Sequence, residues 1–538
     1  MPPIRNGART FAEDALSLYK DAMAKGHFLL GYDVGSSSVK ASLLDAETGT
    51  TVAAATSPDS ELSISAPKPG WAEQEPEEWW KHVVLATRKI LVAAPNAASE
   101  VAGIGVSYQM HGLVLVDKQQ KVLRPSIIWC DSRAVELGAK ALRAIGEKTC
   151  LSRFLNSPGN FTASKLAWVK ENEPAVFAKV FKAMLPGDYV AMRLTGEIRT
   201  TVSGLSEGIL WDFTAGNLAE PVLKHYGIPR EMLAETVPTF SVQGTLMQAA
   251  AAELGLSAGV PVSYRAGDQP NNAFSLKVLE PGEAAATAGT SGVVYGVTSE
   301  ARADARSRVN TFVHVSHDKG KPRYGVLLCL NGTGILNSWI RRNLMGGATV
   351  GYDEMNKIAA GAPVGSDGLA VMPFGNGAER ILDNANPGAA FVGLDFNRHA
   401  IAHVLRAAQE GIVFALCDGI SIMKGIGSDV RTVRAGHANM FLSPVFAEAF
   451  ATTSGAVVEL FKTDGSAGAA RGAGVGAGVF PDMSSAFKGL TAEPSTRAPS
   501  SRWKDVLMPS PASQAFCSAS WRCFCGSSQF SSRIFPPP

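Results

Sequence analysis

Two α/β domains are what this sequence predicts, on three observations. Strand-like and helical runs alternate along the body. The stretch FLLGYDVGSSSVKASLLD at residues 28–45 reads as strand, glycine-and-hydroxyl turn, strand. A second stretch, GEAAATAGTSGVVYGVT at 282–298, repeats that arrangement in the other half of the chain. Alternation of this kind produces sheets covered by helices, and 538 residues exceed what one ordinary core accommodates.

Bulk properties narrow the function. A net charge of +2 supplies no basic field for nucleic acid. No apolar run approaches the roughly 18 residues needed to cross a bilayer. Cys130, Cys150, Cys329 and Cys417 are scattered and Cys517, Cys523 and Cys525 crowd the end, without a disulfide framework or a zinc-site spacing. A reducing, cytoplasmic compartment is therefore expected. Residues 1–26 read as a surface extension with a short amphipathic helix. Glu13, Asp14 and Asp21 argue against a transit peptide, and no apolar core of a secretory signal is present.

Along the body, FLLGYDV, VKASLLD and VAGIGVS have strand character. PEEWWKHVVLATRKILVAA, from Pro76, spaces its apolar residues as a helix does and opens with Pro, Glu77 and Glu78. Helical and loop segments follow from Phe181 to about Val262, where the strand pattern returns. Each glycine-and-hydroxyl turn alone is compatible with a plain polar hairpin. The pair suggests two halves facing a cleft, with backbone N–H groups and hydroxyls aimed at polyphosphate oxygens. Asp33 then suits the anchor of Mg²⁺, an ion that takes one or two carboxylates plus phosphate oxygens and water. No GxxxxGK[ST] occurs. Gly472, Gly474 and Ala477 match a GxGxxA spacing, but too little regular sequence follows to complete a βαβ unit, and a small-residue helix packed closely on a sheet is the better account.

SYRAGDQPNNAFS places Asp268 between a strand and Pro270, on an irregular element at the mouth of the cleft. A carboxylate there can take the proton of an attacking hydroxyl; an Asx turn accounts for the stretch equally well. SYQMHGLVLVD carries Gln109, Met110 and His111, and IIWCDSRA carries Trp129, Asp131 and Arg133. An aromatic ring, carboxylate, guanidinium and imidazole at strand ends suit a small hydroxyl-rich ligand. Arg133 is equally suited to an ion pair with Asp131, and a lone histidine is more often structural.

From Phe28 to Phe480 the chain resembles the FGGY carbohydrate kinases, on DVGSSSVK, WAEQEPEEWW, QMHG, WCDSR, LPGDYVAMRLTGE, AGDQPNNA, TAGTSG, PFGNGAER and DGSAGAARGAG in order. The resemblance implies two ribonuclease-H-like domains of the actin-like ATPase type with a catalytic cleft between them, placed at 27–265 and 266–486. The tail at 487–538 departs from it: where relatives close with helical sequence, the chain from about Glu493 is rich in Pro and Ser without periodicity, and disorder is expected. It implies Asp268 as catalytic base, with Met110, His111 and Asn271 or Asn272 touching sugar beside Gln109, Trp129 and Arg133. Asp33, Ser36, Ser37 and Lys40 match the first phosphate motif. Gly289, Thr290 and Ser291, with Gly332, match the second, and Gly436 with Asn439 the adenosine motif. The chain departs from the pattern with RAGHANM where relatives carry a GGGA-like run, and with Gln269 and Pro270 after the base, which shifts the second sugar contact to Asn271. The expected reaction is transfer from ATP, with Mg²⁺, to the terminal hydroxyl of D-xylulose. Another pentulose, gluconate or glycerol as acceptor, and a non-catalytic actin-like ATP-binding protein, are the alternatives. Expected partners are the sugar and ATP, with a homodimer compatible and neither nucleic acid nor membrane.

Overall fold

The computed structural model describes residues 26–347, 350–494 and 497–499. The expected N-terminal helix and the end of the tail, with Cys517, Cys523 and Cys525, lie outside the described residues. The chain divides into two compact units. In chain order the first contributes β1 (Phe28–Val34), β2 (Val39–Asp45), β3 (Thr51–Ser57), α1 (Pro76–Ala93) and β4 (Val101–Tyr108). Then come α2 (Thr162–Asn172), α3 (Val202–Glu207), β5 (Phe240–Thr245), β6 (Pro261–Gly267) and α4 (Asp268–Ser275). The second unit carries β7 (Glu283–Ala288), β8 (Gly292–Thr298), β9 (Tyr324–Leu330), α5 (Gly334–Leu344), α6 (Ile401–Gly425), β10 (Thr432–Gly436) and β11 (Val457–Phe461). The last helix, α7 (Gly465–Gly476), belongs to unit one.

Unit one's sheet runs β5–β6–β4–β1–β2–β3. β1, β2 and β3 pair antiparallel, and β4 and β6 join parallel. Unit two repeats the central plan in a sheet of six strands: Asn310–Val313 stands at one edge and is followed by β9–β8–β7–β10–β11, with β7, β8 and β9 antiparallel and β10 and β11 parallel. Both sheets are thus of the ribonuclease-H-like kind. In unit one, α1 starts at Pro76 with Glu77 and Glu78 in its first turn, where they complement the helix dipole. It buries Trp79, Val83, Ala86 and Ile90 against the sheet, and truncating a buried tryptophan such as Trp79 costs about 3–5 kcal/mol. In unit two, α6 buries Leu405, Ile412, Leu416, Ile420 and Met423 in the core. Among the described residues no helix is long and apolar enough to cross a membrane.

The small-residue stretch is a packing helix. A Cβ on Gly31 of β1 would lie 2.0 Å from the Ser466 carbonyl oxygen, and one on Gly105 of β4 would lie 2.0 Å from that of Ala469. Seen from the helix, a Cβ on Gly476 would lie 1.8 Å from the Ser263 oxygen. Glycines on both surfaces let the backbones touch, and this draws α7 into unit one despite its place near the end of the body. Unit one comprises the described chain up to Lys277, Phe312–Lys321 and Thr463–Thr491, so the chain passes between units more than once.

The described residues after α7 make further contacts. The Phe487 ring lies 5.1 Å from that of Phe274, and Arg471 donates to the Lys488 carbonyl at 3.1 Å. Glu493 N–H donates to the Leu460 oxygen at 2.7 Å, and Val458 and Arg497 exchange backbone hydrogen bonds of 2.8 and 2.9 Å. The open edge of β11 offers main-chain partners that take an extended segment whatever its side chains.

Candidate active site

Unit one's hairpin turns through Gly35–Ser38, closed by the Gly35 N–H on the Ser38 oxygen at 3.0 Å. Ser37 is exposed and Ser36 half-buried. Asp33, next to last in β1, pairs across the sheet with Lys40 and with Ser107, and the Ser107 hydroxyl donates to its Oδ1 at 2.9 Å. Its Oδ2 faces the start of α7: a Cβ on Gly465 would meet that oxygen at 2.5 Å and Asn272 Oδ1 at 3.2 Å. Burial raises the Asp33 carboxyl above its ordinary range, Ser107 and Lys40 pull it back, and Asp464 adds to the rise. Asp464 caps α7, accepting from the Ala467 N–H at 2.9 Å.

Asp268 is the first residue of α4, directly after β6, and not part of an irregular loop. The helix continues through Pro270 because a proline in the first turn displaces no intrahelical donor. Burial, and after it the Asp33 charge, pushes the Asp268 carboxyl up to about 7, while hydrogen bonds from Gln269 act the other way. Asn271 is fully buried and donates through Nδ2 to the Gly465 carbonyl at 2.8 Å. It ties α4 to α7, and Asn272 Oδ1 borders Gly465 together with Asp33 Oδ2. The helical turn carries Asn271, the expected sugar contact, into the core, where its Oδ1 has no hydrogen-bond partner in the protein.

The QMHG stretch meets this acid. A Cβ on Gly267 would strike Met110 Cγ at 2.6 Å and Glu207 Oε2 at 2.5 Å, so Met110 and Glu207 press on the residue before Asp268. His111 adopts φ +62°, and its Nδ1 lies 3.0 Å from the Glu207 carbonyl oxygen. Its ring packs on Phe161 and Phe312 with centroids at 4.8 and 5.4 Å. Gln109 is buried; its Nε2 donates to Gln74 Oε1 at 3.2 Å, and its own Oε1 has no protein partner. Gln74 in turn donates to the Ser36 carbonyl at 2.7 Å, linking QMHG to the hairpin.

The WCDSR stretch divides. Trp129 is 49% exposed, with its indole N–H 3.3 Å from the Ser36 hydroxyl. Arg133 is held away from any ligand: its guanidinium pairs with Asp131 and Glu73 at 2.7 Å each and lies over the Trp71 ring at 3.8 Å. It is thus the ion pair of the two readings of this residue. A desolvated arginine between two carboxylates and an aromatic face is a structural clamp.

In unit two the second turn spans Gly289–Ser291, with Thr290 exposed. It rests on the loop before α5: Thr333 Oγ1 donates to the Gly289 oxygen at 2.8 Å and Gly334 N–H donates to it at 2.7 Å. Gly332 has φ +99°, and a Cβ there would meet the Pro373 oxygen at 1.8 Å. Gly436 ends β10, and Asn439, at φ +56°, brings its Nδ2 within 3.7 Å of a Cβ on Gly289. The fold therefore gathers Gly289, Gly332, Gly436 and Asn439 around one turn, while Asp33, Asn272, Met110, His111 and Asp268 share unit one.

Two residues that carried no motif belong to the site. Glu207 is 1% exposed; burial, then the charges of Asp268 and Asp188, raise its carboxyl well above the ordinary range, and its Oε1 has no partner. Lys165 is wholly buried, and burial pulls its ammonium down to about 7. The visible signal was a charged residue inside an otherwise apolar helical run, FTASKLAWV. Among the described residues no cluster of three or more His, Cys, Asp or Glu side chains is arranged for a metal ion. Mg²⁺ does not need one, and the hard oxygens of Asp33 Oδ2 and Asn272 Oδ1 meeting at Gly465 fit it.

A buried acid near neutrality, beside a glycine-and-hydroxyl turn and a clamped imidazole, is the equipment of a phosphoryl-transfer enzyme acting on a hydroxyl. The model of the FGGY carbohydrate kinase N-terminal domain matches residues 28–275, and that of the C-terminal domain matches 284–479. The xylulose kinase of Klebsiella pneumoniae is 31% identical over 401 residues, 73% of this chain and 78% of that one. That of Escherichia coli (strain K12) is 29% identical over 447 residues, 82% and 88% of the two chains. The crystal structure of xylulose kinase from Rhodospirillum rubrum superposes with a TM-score of 0.82 at 25% identity, covering 93% of this chain and all of that one. The chain belongs to the FGGY family of carbohydrate kinases. It is an ATP-using sugar kinase with two units of the actin-like ATPase fold, which sets aside the non-catalytic alternative.

Proposed function

We propose that this kinase phosphorylates D-xylulose at its terminal hydroxyl, giving D-xylulose 5-phosphate and ADP. The observation that carries the reading is Asp268, a carboxyl held near pH 7 at the head of α4, with Met110 packed on the adjoining Gly267; the relatives named above are xylulose kinases. Asp268 accepts the proton of the C5 hydroxyl as its oxygen attacks the γ-phosphorus of ATP and the bond to the bridging oxygen of ADP breaks. Met110 and His111 orient the ketose. The hydroxyls and N–H groups of Ser36, Ser37, Thr290 and Ser291 bind phosphate oxygens, and Gly436 and Asn439 lie on the adenosine side. Mg²⁺ held at Asp33, when bound, neutralises phosphate charge. Positioning and electrostatics carry such a reaction, since little covalent chemistry falls to the protein.

The test is ADP release with D-xylulose, D-ribulose, gluconate and glycerol as acceptors. A kcat/KM for xylulose at least tenfold above every other acceptor is expected. A higher value for any other acceptor reassigns the substrate.

A further inference from the structure

We propose that Lys165 is a positioning residue for the acceptor sugar, its ammonium tying the QMHG turn to the WCDSR stretch so that His111 is held in the conformation that meets the ketose. The inference rests on the sugar-kinase reading above and adds to it a residue outside the expected motifs. Lys165 Nζ donates to the His111 carbonyl at 2.8 Å and to the Ile128 carbonyl at 2.9 Å. These oxygens belong to the two stretches that carry the half-exposed Trp129 and the clamped His111, and one buried cation spans both.

The same helix start makes two further contacts with this turn. Thr162 Oγ1 donates to the Gly112 carbonyl at 3.2 Å, and the Phe161 ring meets the imidazole edge to face. His111 needs such support because φ +62° is unfavourable for a residue with a Cβ, on the order of 1 kcal/mol or more. Gly112 cannot relieve it by moving, since a Cβ there would already lie 2.5 Å from Pro186 Cγ. An ammonium with no exposure is an expensive way to satisfy two carbonyls that a neutral amide would also satisfy. Its tetrahedral donor geometry on a long stem suits a tie that must fix two backbone oxygens at once.

The experiment is Lys165→Met in the full chain, with KM measured separately for ketose and ATP and sugar binding followed by calorimetry. Expected are a rise of tenfold or more in the ketose KM and Kd, an ATP KM within twofold of wild type, and an unshifted or higher Tm. In Lys165→Ala, added n-propylammonium should recover part of the ketose affinity and tetramethylammonium none. An unchanged ketose KM in folded Lys165→Met overturns the proposal, as do equal losses for ketose and ATP. If Lys165→Met does not fold, Lys165→Gln replaces it and the same ratio decides. If neither folds, Lys165 is a determinant of folding and the proposal is overturned. Wild type inactive on every ketose would instead bring down the D-xylulose reading itself, which the wild-type control reports before any variant is compared.

Discussion

The turn after β1 and the turn after β7 stand at the same point of two sheets that share the order of five strands, yet they are built for different charges. Next to last in β1 is Asp33, held by Ser107 and facing the glycine that opens α7. Next to last in β7 is Thr287, and the turn beyond it rests on Thr333 and Gly334, with no carboxylate in Gly289–Ser291. One turn can therefore attract a cation, and the other presents only neutral donors. Both depend on a glycine behind them: a Cβ on Gly465 would meet Asp33 Oδ2 at 2.5 Å, and one on Gly334 would meet the Gly289 oxygen at 2.4 Å. A duplicated plan keeps the support of the turn and changes the charge at its tip.

The largest test of this contrast is mechanical. Gly31→Val, beneath the first turn, must push α7 off the sheet and should destabilise unit one by about 3 kcal/mol or more. Gly289→Ala in the second turn meets nothing closer than 3.7 Å and should stay within about 0.5 kcal/mol. Urea unfolding of both variants measures the difference, and equal losses would break the comparison.

Next is Asp268→Asn, which should lower kcat roughly 10²-fold or more while leaving ATP binding largely intact. Turnover close to wild type would remove Asp268 as the base. The pH dependence of stability is a smaller effect with a definite sign. Asp268 is raised from an ordinary carboxyl to about 7, so the folded protein keeps a proton that the unfolded chain has lost. In the protein without ligands, stability should fall as pH rises from about 4 to about 7 and then level off. Asp33, also raised, acts in the same direction. Asp268→Asn should flatten the Tm profile over that window; an unchanged slope would show that the acids of unit one are not coupled as described. Smallest are Ser37→Ala and Thr290→Ala, exposed hydroxyls at the two tips. Each should raise the ATP KM severalfold, matching about 0.5–1.5 kcal/mol for one hydrogen bond, without moving Tm.

Much of this was legible in the residues. The two strand pairs, the helix from Pro76 and the grouping of glycines with hydroxyls follow from periodicity and turn chemistry that act over a few positions. Arg133 and Asn271 were not decided in this way. Each lies in a motif that suits a ligand, and each is turned into the core by contacts from far along the chain: Trp71 and Glu73 for the arginine, Gly465 for the asparagine. Lys165 and Glu207 escaped notice for the converse reason, since neither has a spacing that marks it and both gain meaning only from the carbonyls and acids that surround them.

By itself, then, the order of residues determined the two α/β sheets, their glycine turns and the acids available at strand ends, because backbone preferences and hydrophobic period are local. Tertiary packing alone decided that α7 closes unit one, that Asp268 heads a helix with its proton held near neutrality, and that Asn272 Oδ1 and Asp33 Oδ2 both line Gly465. Burial, mutual charge and backbone contact depend on residues more than a hundred positions apart in the chain, as the Asn271–Gly465 hydrogen bond spans 194, and no local pattern encodes them.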